Sequence, residues 1–382
     1  MDPAFIYFKP VSGKNNIGRR SEQTVVANLL DQGENVVIYE PAKTGKKSLM
    51  QQTFLNMRIS GKIFTTAEVP MLQVRTTEEF LLAFGSALVR ATATTPDEYA
   101  EIVRNCLQDT HFVFDPNLYA TTDEVLSVSW SLDENDIRSM LGLPWRLAAV
   151  TGKKIYVILD EFQNITYLEN WERFLKSFEE TLKANQSGLC NLVFLGSAVN
   201  AMKYIFEERV FFHRQVNHVV LNDIESREIT DFIVRGFLTS GKVIDRDLMM
   251  SVCKRFRNNI WYINHFASIC DHLTKGYITD ATLQEALDML ISIHEPRFMD
   301  MVSDLTGFQV SLLQATLDGC KRFSSAEVIE RYHLHSSANV RRLKDALCKK
   351  EIITFNENDD PVVLDPLFEY WLRKYFFKMK DE

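Results

Sequence analysis

Val36-Val37-Ile38-Tyr39-Glu40-Pro41-Ala42-Lys43-Thr44-Gly45-Lys46-Lys47-Ser48-Leu49-Met50 is the stretch on which the fold turns. Its apolar start reads as a buried strand, and Gly45-Lys46 closes the turn that follows. A strand, a tight turn and a helix start in that order aim backbone N–H groups and the positive end of a helix at one anion. The reading is a phosphate-binding loop, with Lys46 as the point charge for the β- and γ-phosphates. Two positions depart from the full pattern: Glu40 stands where it has Gly, and Lys47 stands where it has Ser or Thr. The second change matters more, because that hydroxyl normally ligates Mg²⁺ and an ammonium repels the metal. Ser48 carries a hydroxyl one residue too late. Gly-Lys alone also fits a plain turn leading into a cationic surface helix.

A second apolar run, Lys154-Ile155-Tyr156-Val157-Ile158-Leu159-Asp160-Glu161-Phe162-Gln163, delivers two carboxylates at its C-terminal end. Open parallel sheets bind ligands at that edge. The run resembles a Walker B strand, in which Asp160 would hold Mg²⁺ and Glu161 would polarise the attacking water. A third strand, Asn191-Leu192-Val193-Phe194-Leu195-Gly196-Ser197-Ala198, follows a helical stretch rich in Glu and Lys, so strands and helices alternate in the βαβ manner. Ser197 then falls where a polar sensor of the γ-phosphate would stand, or in an ordinary turn after a buried strand.

These segments, together with Asn16-Ile17-Gly18-Arg19-Arg20-Ser21-Glu22 upstream and Met202 downstream, make the chain resemble the archaeal-type ATPases of the AAA+/STAND group of P-loop NTPases. The family's loop usually reads Gly-Pro-Arg-Arg-x-Gly-Lys-Thr-Ser-Leu, and Pro41, Gly45, Lys46, Ser48 and Leu49 match it. The resemblance implies an α/β fold with a five-stranded parallel sheet and helices on both faces, a helical lid and a C-terminal winged helix. It implies ATP or ADP as ligand, held by Arg19, Pro41, Lys43, Thr44, Gly45, Lys46, Lys47, Ser48, Leu49, Ser197 and Arg209, with Asp160 on the metal and Glu161 catalytic. The lid motif, usually Gly-x-Pro-x-Tyr, is Asn258-Asn259-Ile260-Trp261-Tyr262 here. Nucleotide binding is therefore expected to outlast hydrolysis. Alternatively, Lys47 reaches a phosphate itself and partly replaces Mg²⁺, which favours retained ADP. Arg209 fits either a contact to phosphate or to a neighbouring molecule, or an exposed ion pair with Glu207 or Glu208.

The expected domains are residues 1–222 for the nucleotide-binding part, 223–302 for the lid and 303–382 for the winged helix. Strands are expected near 36–40, 63–69, 155–160, 192–197 and 219–221. The lid opens at Ile224 to Ile233, with Asp223 as its cap. Residues 95–145 are long for a strand-to-strand connection and read as a helical elaboration or a functional protrusion. In the C-terminal part, helices open at Ser324-Ser325 and at His335-Ser336-Ser337, and Glu351–Phe355 pairs with Pro361–Leu364 as a hairpin.

At 382 residues and 46% hydrophobic, the chain is long enough for two or three cores. Its apolar runs fall short of a membrane span, its first ten residues lack a signal pattern, and six scattered cysteines indicate neither zinc nor disulfides, so a cytoplasmic location is expected. The formal net charge of −8 argues against broad attraction to nucleic acid. Arg341, Arg342 and Lys344 lie on the recognition helix of the winged helix. Yet from Phe308 onward twelve Lys/Arg balance twelve Asp/Glu, and the wing tip is acidic. A protein partner or an intramolecular contact is favoured over DNA. The chain thus reads as a nucleotide-dependent switch with slow or absent hydrolysis; the alternative is a degenerate ATPase-fold scaffold or regulator acting through its winged helix.

Overall fold

Val36, Ile38, Leu159, Val193 and Phe194 have no exposed surface, the pattern of strands covered on both faces. The computed structural model describes residues 4–185 and 187–379. Its strands are β1 (Asn35–Tyr39), β2 (Phe64–Pro70), β3 (Phe112–Phe114), β4 (Leu126–Val128), β5 (Lys154–Asp160), β6 (Cys190–Gly196), β7 (Val216–His218), β8 (Val243–Ile244), β9 (Tyr277–Ile278), β10 (Ile353–Phe355) and β11 (Pro361–Val363). Five of them form one sheet in the order β2-β5-β6-β1-β7, and every pairing in it is parallel. The five-stranded parallel sheet is thus present. Its last strand is Val216–His218 and not 219–221. Val219 donates its N–H to the Val37 carbonyl at 3.0 Å as the final ladder bond, after which the chain leaves the sheet.

Alternation along the strands assigns the two faces. Ile38, Ile158, Val193 and Leu195 point with Val36 and Tyr156 into a core closed by Val26 and Leu30 of the Arg20–Asp31 helix and by Leu49, Met50, Phe54 and Met57 of the Lys46–Ile59 helix. Phe194 points the other way, onto Phe178 of the Trp171–Ala184 helix, which meets Phe80 of the Thr77–Thr92 helix. Helices therefore cover both faces. The 95–145 elaboration is ordered: helices Pro96–Cys106, Pro116–Thr121 and Glu134–Leu141 surround an antiparallel β3-β4 hairpin.

The chain divides into two compact units. One consists of Arg20–Glu40 and Leu49–Leu221; the other combines the segment ending at Arg19, the loop Pro41–Ser48 and everything from Asn222 on. In the second unit, helices Ser226–Thr239, Arg246–Arg255, Ile260–Leu273 and Asp280–Ser303 make the lid. The first of them has Glu225 at its N-cap, so Asp223 lies outside the helix and does not cap it. Next come helices Gly307–Leu317, Ala326–Arg331 and Ser337–Lys349, the last two capped by Ser325 and Ser336. The β10-β11 hairpin and the Pro366–Trp371 helix complete a winged helix. One apolar core, from Ile229 through Phe266 and Phe298 to Leu343 and Trp371, runs through lid and winged helix without a break.

Candidate functional site

The phosphate-binding reading concerns the turn between β1 and the Lys46–Ile59 helix. Lys43 and Gly45 both take left-handed backbone conformations, with φ of 68° and 93°. Gly tolerates this freely, whereas for Lys43, with its Cβ, it is a strained conformation. Lys46 opens the helix, is almost fully buried, and donates from Nζ to the Pro41 carbonyl at 3.0 Å. Thr44 donates its hydroxyl to the same carbonyl at 2.8 Å. Lys47 is half-buried in the first turn, and the Ser48 hydroxyl accepts the Val11 N–H at 3.1 Å. Leu49 is buried and anchors the helix in the core under the sheet.

Arg19 closes over this turn. Its guanidinium donates to the Thr44 carbonyl and, at 3.3 Å, to the Asn222 carbonyl. A Cβ at position 45 would stand 3.3 Å from the Arg19 Nη1, a second reason for glycine there. Lys43 reaches outward instead: its Nζ lies 3.9 Å from the centre of the Trp261 ring and 5.3 Å from that of Tyr262. Burial lowers its pKa to about 8, Arg297 adding to the shift and Asp365 opposing it. Trp261 and Tyr262 start the Ile260–Leu273 helix, capped by Asn259. Trp261 also meets His265 and His294 edge-on, and Tyr7 stacks on His265 at 4.1 Å. Sequence reasoning singled out none of His265, His294 or Tyr7. Only the aromatic end of the altered lid motif hinted at them.

The carboxylates belong to the sheet unit. Asp160 ends β5 in register with Pro70 and Leu195, and its carbonyl accepts the Met71 N–H at 2.9 Å. Glu161 is left-handed, with φ of 60°. One of its carboxylate oxygens, Oε2, accepts from the Ser197 hydroxyl, from the Ser197 N–H at 3.2 Å and from Gln163 Nε2 at 2.6 Å. Glu161 and Ser197, named separately from the sequence, are thus brought together. Because β6 lies between β1 and β5, Ser197 follows the strand that separates the Tyr39 end from the Asp160 end. Glu40 spends its carboxylate on the Leu221 N–H at 3.3 Å. Arg209 pairs with Glu172, an exposed ion pair whose partner differs from the neighbours Glu207 and Glu208.

Among the described residues, one group has the spacing to hold a metal: His111, Asp133 and Asp136, ligand atoms within 4.8 Å of one another. Its carboxylates already carry a capping box: Asp133 caps the Glu134–Leu141 helix, and Asp136, in the first turn, accepts from the His111 and Asp133 N–H groups and from His111 Nδ1. No helix of the described residues is long and apolar enough to cross a membrane.

Residues 296–374 match the family model described as a probable winged helix domain. None of the curated proteins matches the chain. Among solved structures, a Walker-type ATPase of Pyrococcus abyssi is similar at a TM-score of 0.68 and 14% identity, over 96% of this chain and 99% of that one. The ORC2 protein of Aeropyrum pernix, in ADPNP–ADP complexes, is similar at a TM-score of 0.56 and 14% identity, over 91% and 90%. Its ADP form gives 0.55 and 14%, over 95% and 93%. The chain therefore has the fold of the archaeal Walker-type P-loop ATPases, winged helix included.

Proposed function

We propose that this chain is a nucleotide-dependent switch that binds ATP or ADP at the Pro41–Ser48 loop, hydrolyses ATP slowly or not at all, and works through its winged helix. The observation that carries the reading is the loop itself: left-handed Lys43 and Gly45 at the head of a helix, with the cations Arg19, Lys43, Lys46 and Lys47 on or beside it. Fixed positive charge at a helix N-terminus, paired with internal carbonyls, suits a polyphosphate that can displace those pairs. In this proposal Lys46 exchanges the Pro41 carbonyl for phosphate, and Arg19, Thr44 and Ser48 line the remainder. Asp160 offers a hard oxygen suited to Mg²⁺, and bound Mg²⁺ would neutralise charge on the β- and γ-phosphates. Ser197 reads the γ-phosphate, and Arg209 is assigned to phosphate or to a neighbouring molecule once it leaves Glu172. Two features support weak turnover: the hydroxyl ligand is replaced by Lys47, and Ser197 and Gln163 hold the Glu161 carboxylate that would polarise water.

The division at 222 and 302, a cytoplasmic location and an intramolecular or protein-borne output are parts of the same proposal. All six cysteines are free, which suits a reducing compartment. Calorimetry of ATP and ADP with and without Mg²⁺, on the natural protein and on Lys46→Ala, tests it. Binding lost in Lys46→Ala supports the switch. If neither nucleotide binds the natural protein, the switch reading falls and an empty-loop scaffold takes its place.

A further inference from the structure

One short segment of the C-terminal unit, Arg257–Tyr262, meets the winged helix at both ends and the phosphate loop beside its last residue. Its first residue, Arg257, donates to the Val363 carbonyl at 2.7 Å and pairs with Glu369 at 3.2 Å, at the end of the wing and on the closing helix. Its last, Tyr262, donates its hydroxyl to Asp365, 2.8 Å from the nearer carboxylate oxygen. Arg297 bonds both that hydroxyl, at 3.0 Å, and Asp365, at 2.6 Å. Asp365 in turn accepts the Leu367 and Phe368 N–H groups as the cap of the Pro366–Trp371 helix. Between these ends stands Trp261, under the Lys43 ammonium.

We infer that Lys43 is a two-position latch, its ammonium resting on the Trp261 ring without nucleotide and moving to phosphate when nucleotide enters, so that the Arg257–Tyr262 segment carries loop occupancy to the winged helix. The inference rests on the nucleotide reading of the loop. The physical case is a competition. An ammonium on an aromatic face gains a modest attraction, whereas a polyphosphate offers full charge and strong acceptors. Lys43 is only half-buried and makes its ring contact from a strained left-handed residue, so its hold on Trp261 is one that phosphate can outbid. Burial also brings its pKa down to about 8, which marks the ammonium as poorly solvated where it rests. On the far side, the Tyr262, Arg297 and Asp365 network is tight and directional, so a shift of the Tyr262 ring changes the cap of the last helix.

The test uses the full chain and ADP. Calorimetry gives the affinity, and deuterium exchange of the peptides covering 353–371 gives the winged-helix response. In the natural protein ADP changes exchange in those peptides. Trp261→Leu removes the competing ring, so ADP is expected to bind about threefold tighter or more, with the exchange response lost. Lys43→Met, which keeps the chain length without the charge, is expected to show the ADP-bound exchange pattern with no nucleotide added. It decides the matter if Trp261→Leu folds poorly. Should both variants keep the natural affinity and response, the latch is wrong while nucleotide binding stands. If the natural protein binds no ADP at all, latch and nucleotide reading fall together.

Discussion

In the proposed nucleotide site, Lys47 is the residue that sets how Mg²⁺ can be held. On that proposal it stands where the loop pattern has a hydroxyl that would complete the octahedral oxygen shell of Mg²⁺. Lys47→Thr is therefore expected to raise Mg²⁺-dependent ATP hydrolysis by about tenfold or more, read as phosphate release over a Mg²⁺ titration. An unchanged rate would place the block elsewhere, with the bonds from Ser197 and Gln163 to Glu161 as the next suspect. His265 and His294 give a second residue-scale expectation. Nδ1 of His265 and Nε2 of His294 are buried without hydrogen-bond partners. Burial, with the Lys43 charge behind it, lowers both pKa values to about 4. In the unfolded chain they titrate at about 6.5, so between those values the unfolded state binds more protons and stability falls as the pH drops. Urea unfolding is expected to show a loss on the order of 2–5 kcal/mol from this pair between pH 6.5 and 4. The double variant His265→Gln/His294→Gln should show a correspondingly shallower decline, and an equal slope would refute the assignment.

At the scale of elements, legibility tracked how local each signal is. Strands β1, β5 and β6 could be read because burial on both faces demands unbroken apolar runs, and the caps at Ser325 and Ser336 because the capping bond spans one turn. Lys46 and Gly45 were legible for the same reason: strand, turn and helix are contiguous. The ring under Lys43 was not, since Trp261 and Tyr262 come from a distant helix and nothing in the loop sequence announces them. The β3-β4 hairpin was equally hidden, with strands of three residues joined across a helix. A single buried hydroxyl pins it: Ser86, inside the Thr77–Thr92 helix, accepts the N–H groups of Val125 at 3.0 Å and Leu126 at 3.3 Å. Next to it Gly85 has no room for a Cβ, which would stand 2.6 Å from Leu126 Cδ1. Ser86→Ala leaves two buried donors without that acceptor, so a loss of about 1–3 kcal/mol is expected. Faster deuterium exchange confined to the hairpin would accompany it. A loss below about 0.5 kcal/mol would mean that the hairpin is held by its apolar contacts alone.

For the molecule as a whole, the question is what the winged helix meets. Its charges balance, the chain carries −8, and the acidic wing tip is turned to internal use: Asp360 pairs with Lys321 at 2.7 Å, and Asp359 approaches Lys344 at 3.9 Å. Lys344 also lies 4.0 Å over the Phe355 ring. One of the three recognition-helix cations is thereby drawn toward the wing, leaving Arg341 and Arg342 exposed. DNA affinity grows with the number of phosphates neutralised, and two arginines beside an acidic tip neutralise few. The core that unites lid and winged helix, with the Tyr262, Arg297 and Asp365 network across it, suits a module that senses the lid. Fluorescence anisotropy with a labelled duplex is therefore expected to show no binding tighter than about 10 μM at 150 mM salt. Asp359→Asn/Asp360→Asn frees Lys344 and Lys321, and should tighten low-salt binding several-fold while steepening the salt dependence by about one to two charges. Tight binding by the natural protein, abolished by Arg341→Ala and Arg342→Ala, would instead make the winged helix a DNA reader, with its acidic wing tolerated because the exposed arginines alone suffice.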